Sequence, residues 1–218
     1  MSALLAQVMR TGLLGQQGLT VWLTGLSGAG KSTIGACLEQ ELIARHHLAY
    51  LLDADVQRAG LNRDLGFSRS DRAENVRRLG ELCGVLAQSG TIVIAAAIAP
   101  YEEDRRLVRE RHTELGCTFV EIHVDTSLDE CMRRDPKGLY RRAIDGSLAQ
   151  FTGISAPYEA PRAPELRVAT AGCAPQASAA LVLAELERRE LIRGATPRVI
   201  HSLPLDALVR RKAEALRR

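Results

Sequence analysis

The chain has 218 residues, 46% of them hydrophobic and 25% charged, a length that holds one large domain with terminal extensions and a composition that excludes disorder as the default state. The 29 basic and 26 acidic side chains leave a formal charge of +3, too small for a nucleic-acid footprint, so any anion site is local. No run approaches the ~18 apolar residues of a membrane span, and five dispersed cysteines (Cys37, Cys83, Cys117, Cys131 and Cys173) without metal-ligand spacing read as reduced thiols of a cytoplasmic protein.

Residues 1–18 carry one arginine and a broken apolar stretch with no cleavage site, which reads as an N-terminal extension and not a leader. Residues 19–24 (LTVWLT) predict a strand, then come glycines, then a helical pattern over 31–45. A second short strand covers 49–52 and runs into Asp53-Ala54-Asp55. Apolar spacing predicts a helix over 75–88, closed by Ser89-Gly90. The nearly continuous apolar run 91–98 (TIVIAAAI) suits a strand buried on both faces, as in a parallel sheet. A charged helix follows over 101–115, a strand over 118–124, a helix over 127–134 with Ser127 as N-cap, a strand over 166–169 and a helix over 174–192. This alternation predicts an α/β fold, a doubly wound and mainly parallel sheet flanked by helices, with ligands beyond the carboxyl ends of the strands. Residues 135–164 break the alternation with glycines, prolines and charges, and an ordered insertion of that length over such a site reads as a lid. The domain is therefore expected over 19–193. Beyond it lies a basic C-terminal extension over 194–218, containing Arg198, Arg210, Arg211, Lys212, Arg217 and Arg218.

Gly25-Leu26-Ser27-Gly28-Ala29-Gly30-Lys31-Ser32 matches the phosphate-loop pattern in full, between a predicted strand and a predicted helix. Only three lysines occur in the chain, so Lys31 stands out. Glycines let the backbone N–H groups curl toward phosphate oxygens, Lys31 reaches the β and γ phosphates of ATP, and the Ser32 hydroxyl suits Mg²⁺. The fold is thus of the P-loop NTPase type. Asp53 and Asp55, taken as an extended segment, project to one side near that loop. They suit orienting metal-bound water and accepting the proton of an attacking hydroxyl, although turn capping explains an Asp-x-Asp equally well on its own. Arg58, Asn62, Arg63, Arg69, Arg72, Asn75, Arg77 and Arg78 crowd the following stretch. Guanidinium groups at that density point to a second, anionic substrate.

Several blocks, in order, resemble the adenylyl-sulfate kinase (APS kinase) family: 61–68 (LNRDLGFS), 71–78 (DRAENVRR), 134–140 (RDPKGLY), 151–154 (FTGI) and 157–159 (PYE). The resemblance runs from about 19 to 169. It implies phosphorylation of the 3′-hydroxyl of adenosine 5′-phosphosulfate by ATP, with Mg²⁺. Carried onto this chain, it implies an ATP cradle over 25–33 (Gly25, Ser27, Gly28, Ala29, Gly30, Lys31, Ser32 and Thr33). Asp55 stands near the 3′-hydroxyl and metal, with Asp53 beside it. Arg58, Arg72 and Asn75, together with Ile98, hold the adenylyl sulfate, Phe67 and Phe151 sandwich its adenine, and Lys137 belongs to the lid. The family further implies a homodimer and leaves association with a sulfurylase open.

The chain also departs from that pattern. Ala54, Val56 and Ala59 replace a glycine, an asparagine and a histidine, and Ala97-Ile98-Ala99-Pro100-Tyr101-Glu102 replaces a stretch with serine at 99 and arginine at 102. No phosphoenzyme forms at Ala99. Glu102 reverses a charge where an anion approaches, an effect of ~1 to 4 kcal/mol for a nearby pair. A related kinase with a changed acceptor and a non-catalytic nucleotide-binding homologue are the alternatives that these residues leave open.

Overall fold

The computed structural model describes residues 2–192; the basic segment expected over 194–218 lies outside the described residues. Five strands, β1 (Leu19–Thr24), β2 (Ala49–Asp53), β3 (Ile92–Ala96), β4 (Thr118–Asp125) and β5 (Leu166–Ala169), form one sheet in the order β2-β3-β1-β4-β5. Every pairing is parallel, with Leu19 opposite Ile92 and Thr118 at the start of β1. The continuous apolar runs follow from this: β1 and β3 are buried along their whole length between two helical layers. One layer packs α2 (Lys31–Ala44) and α8 (Pro175–Arg188) on the sheet through Ile34, Leu38, Leu42, Val182 and Leu186. The other packs α4 (Arg69–Gln88) and α5 (Glu102–Glu114) through Val76, Leu79, Cys83 and Val108, with Trp22 and Phe119.

The remaining helices are α1 (Ser2–Leu14), α3 (Ala54–Gln57), α6 (Leu128–Arg134) and α7 (Leu139–Ile144). Three features depart from the sequence reading. The N-terminal stretch forms α1, stapled to the body by the Arg10 Nε bond to Gln88 O (3.0 Å) and by Gln16, whose Nε2 donates to Leu48 O and Gly90 O (3.0 and 2.7 Å). Helix α4 begins at Arg69, six residues before the apolar periodicity does. A capping box starts it: Ser68 Oγ accepts from Asp71 N, and Asp71 Oδ2 accepts from Ser68 N. Within 135–164, α7 buries Tyr140 and Ala143, and Asp135 accepts from the backbone of Tyr140 and Arg141. No helix among the described residues is long and apolar enough to cross a membrane.

Candidate active site

The loop between β1 and α2 lies at the carboxyl end of the central strand, where such sheets bind ligands. Its carbonyl oxygens are held by side chains of the protein itself. Tyr140 Oη donates to Ser27 O (2.9 Å), and Thr126 and Thr170 hydroxyls donate to Ala29 O (3.1 and 3.0 Å). Lys31 Nζ folds back onto Gly25 O and Leu26 O (2.9 and 2.7 Å). With the carbonyls so occupied and the N-terminus of α2 at its end, the loop offers an anion its donor groups and the positive end of a helix dipole. Burial pushes the Lys31 ammonium down to about 8, against the attraction of Asp55, Cys131 and Asp53. An arriving polyphosphate opposes that shift.

Ser27, Gly28, Gly30, Lys31, Ser32 and Thr33 line a cavity of about 410 Å³. Gly25 and Ala29 stand behind the cavity wall. A Cβ on Gly25 falls 2.5 Å from Val124 O, and Ala29 is fully buried. Asp53, Asp55, Ile98 and Lys137 complete the near side. The extended Asp-x-Asp geometry read from sequence does not occur. Asp53 ends β2 and caps α3, its Oδ1 accepting from Asp55 N (2.8 Å), so that Asp55 projects from the first turn of a helix. Both carboxylates still reach the cleft, by a strand-to-helix turn and not by alternation. Lys137 Nζ donates to Asp55 Oδ2 at 2.5 Å, bringing residue 137 across the cavity mouth and holding its own ammonium above the usual lysine range. Sequence reasoning missed the far end of the cavity. Arg134 donates to Thr170 Oγ1 and Thr170 O (both 3.0 Å) and lines that end with Cys173, Pro175 and Ser178.

The other named residues gather outside this cavity as a second cluster, after Asp55 in the chain. Arg58 lies 4.4 Å above the centre of the half-exposed Phe67 ring and donates to Gly66 O (3.0 Å); burial lowers its pKa. Arg72 donates to Phe67 O (3.0 Å) and to Gln150 O (2.5 Å), so one guanidinium joins the backbones beside the two aromatic positions. Phe151 itself is buried, its ring edge-on to Tyr140 at 4.9 Å. Asn75 Oδ1 accepts from Asn62 Nδ2 (3.0 Å), pinning the turn before the cluster onto α4.

A sequence profile described as adenylylsulphate kinase matches residues 17–169. The chain belongs to the adenylyl-sulfate kinase family. It is 49% identical over 184 residues to the adenylyl-sulfate kinase of Saccharomyces cerevisiae, covering 84% of this chain and 91% of that one. The Mycobacterium tuberculosis APS kinase CysC, solved in complex with AMPPNP and APS, superposes with a TM-score of 0.77 at 46% identity, over 79% of this chain and 99% of the other. A hexameric APS kinase from Thiobacillus denitrificans gives a TM-score of 0.63 at 35% identity, and the match covers 82% of this chain but 30% of that longer one. As a member of this family the protein is a kinase.

Two departures of this adenylyl-sulfate kinase family member gain a structural account. The carboxylate of Glu102 pairs with Arg162 at 3.0 Å, so its reversed charge is answered within the chain. Ala99 is buried in a left-handed backbone conformation (φ 42°) just past Ile98, whose carbonyl accepts from Thr24 Oγ1 at 2.6 Å. Of the side chains lining the cavity, Asp53 and Asp55 are the acidic ones.

Proposed function

We propose that the protein transfers the γ-phosphoryl group of ATP to the 3′-hydroxyl of adenosine 5′-phosphosulfate, with the residues of the two clusters dividing the work. The observation that carries this reading is the single cavity shared by Lys31, Asp53 and Asp55, with the arginine and aromatic cluster following directly in the chain. Its 410 Å³ suits a nucleotide-sized ligand. In this reading Gly28, Gly30 and Lys31 cradle the phosphates. Arg134, Thr170, Cys173 and Pro175 take the base end of the ATP.

The donor set fits a magnesium ion that borrows phosphate oxygens. Ser32 supplies a hydroxyl and Asp55 a carboxylate, with Asp53 behind it, and no three-ligand metal cluster occurs among the described residues. Such an ion, when bound, neutralises charge on the transferring group. Asp55 also accepts the proton of the attacking hydroxyl, since its carboxylate projects from α3 into the cleft between the loop and the second cluster. Lys137 leaves Asp55 for phosphate oxygens as substrate enters. Arg58, Arg72 and Asn75 hold the phosphosulfate, and the Phe67 ring stacks on its adenine with Phe151 as the opposing position. Ile98 forms the floor between the two ligands.

Transfer of labelled phosphate from ATP to adenosine 5′-phosphosulfate, measured beside other nucleotides and sugars, tests the proposal. Label entering a sugar or another nucleotide, and not the phosphosulfate, refutes it. We further propose a cytoplasmic homodimer; sedimentation of the purified chain checks the oligomeric state.

A further inference from the structure

The acceptor side of the cleft rests on a buried arginine outside both clusters. Arg105, on α5, is 2% exposed and spends its whole guanidinium on three different segments. Nε donates to Glu121 of β4 (2.8 Å), one terminal nitrogen to Ala99 O (2.7 Å) and the other to Glu159 O (2.8 Å). Ala99 and Glu159 belong to the rim after β3 and to the arm returning from the 135–164 segment. The same two stretches are joined directly, since Glu159 N donates to Pro100 O and Glu102 N to Glu159 Oε2, both at 2.8 Å. A buried charge with each of its three nitrogens bonded is costly to disturb, and Arg alone supplies this fixed fork. What it fixes is unusual: a buried alanine in the left-handed region, where only glycine rests without strain.

We propose that Arg105 is a positioning residue for the acceptor nucleotide, holding the strained Ala99 turn, and with it Ile98, in register with the arm that carries Phe151. The inference rests on the function proposed above. Arg105 makes no hydrogen bond to the phosphate loop or to Lys31, and it reaches the ATP cavity only through Ile98, so its effect on ATP binding is expected to be the smaller one. Arg105→Lys keeps the charge facing Glu121 but replaces the three-way fork with one head group. The KM for adenosine 5′-phosphosulfate is expected to rise about tenfold, with the KM for ATP held within about twofold. Amide hydrogen exchange is expected to quicken together at 98–102 and 156–160, and not in the phosphate loop. Adding Ala99→Gly, which removes the strain that the arginine restrains, is expected to recover part of the acceptor KM, a rescue that general loss of stability does not produce. Should Arg105→Lys fail to fold, Glu159→Ala removes only the rim bond to Glu102 N and is expected to act in the same direction with smaller effect. Equal rises in both KM values, unchanged exchange in the two stretches, or no recovery from Ala99→Gly overturns the proposal. A wild-type protein inactive on the phosphosulfate removes the function reading instead, and the exchange experiment still decides whether Arg105 orders the two stretches.

Discussion

Gly25→Ala is the sharpest test of how the phosphate loop is held. A Cβ at this position comes 2.5 Å from Val124 O, about 0.9 Å inside ordinary contact. That oxygen belongs to β4, whose ladder with β1 runs through Leu23 opposite Ile122 and Thr24 opposite His123, so it yields only if the ladder opens. Forcing a methyl group into such a site costs ~1 to 3 kcal/mol, and the backbone at φ 154° adds ~1 to 3 kcal/mol for a residue other than glycine. Together these give a loss of roughly 2 to 6 kcal/mol, which for a domain of this size lowers Tm by ~4 to 24 °C. Because the loop that carries Lys31 must shift by the order of 1 Å, turnover falls roughly 100-fold. Thermal melts by circular dichroism and ADP release measure the two effects. Gly12→Ala is the control: nothing lies within 4 Å of its Cβ in α1, and the helix gains ~0.5 to 1 kcal/mol. A Gly25→Ala protein melting within about 2 °C of wild type and retaining most of its turnover refutes the claim that this contact sets the loop.

The Lys31 ammonium has a pKa of about 8 in the free protein, so kcat/KM for ATP is expected to fall about tenfold per pH unit above that value; a pH–rate profile flat to pH 10 contradicts this. The sign for stability is opposite. The unfolded chain binds the extra proton between about 8 and 10.5, so the burial penalty is full below pH 8 and fades as pH rises through that window. Lys31→Met should abolish that pH-dependent gain in denaturant melts. Asp55→Asn is expected to lower kcat by ~10²- to 10⁴-fold with Tm almost unchanged, because the Lys137 pair is solvent-exposed and worth at most ~1 kcal/mol; ADP release above a tenth of wild type contradicts the role given to this carboxylate. Thr152 Oγ1 is buried without a hydrogen-bond partner, so Thr152→Val is expected to stabilise by ~1 kcal/mol, and a lowered denaturation midpoint shows that the hydroxyl is satisfied after all.

The phosphate loop was legible because its chemistry is local: glycines, Lys31 and Ser32 keep their spacing in any chain that places them between a strand and a helix. The strands were legible for a similar reason, since a sheet covered on both faces favours long buried runs, β-branched and aromatic at 19–24 and wholly apolar at 92–96. Helix α4 was read six residues short because apolar periodicity reports burial, whereas its start is set by the polar capping box of Ser68 and Asp71. Helix α7, six residues long, is too short for periodicity to register. Asp53 and Asp55 reached the cleft as expected, yet by capping a helix and not by strand alternation.

Residue types and short spacings therefore determined, unaided, that this chain folds as a phosphate-binding α/β protein with an anionic second ligand. Only tertiary structure decided which segments the other buried and half-buried arginines join. Arg134 meets Thr170 across 36 residues, and Arg105 joins β4, the rim and the returning arm. In sequence both are ordinary members of charged helices. Their partners lie on strands and loops that become neighbours only when the parallel sheet assembles, and a pairing made through space leaves no period along the chain.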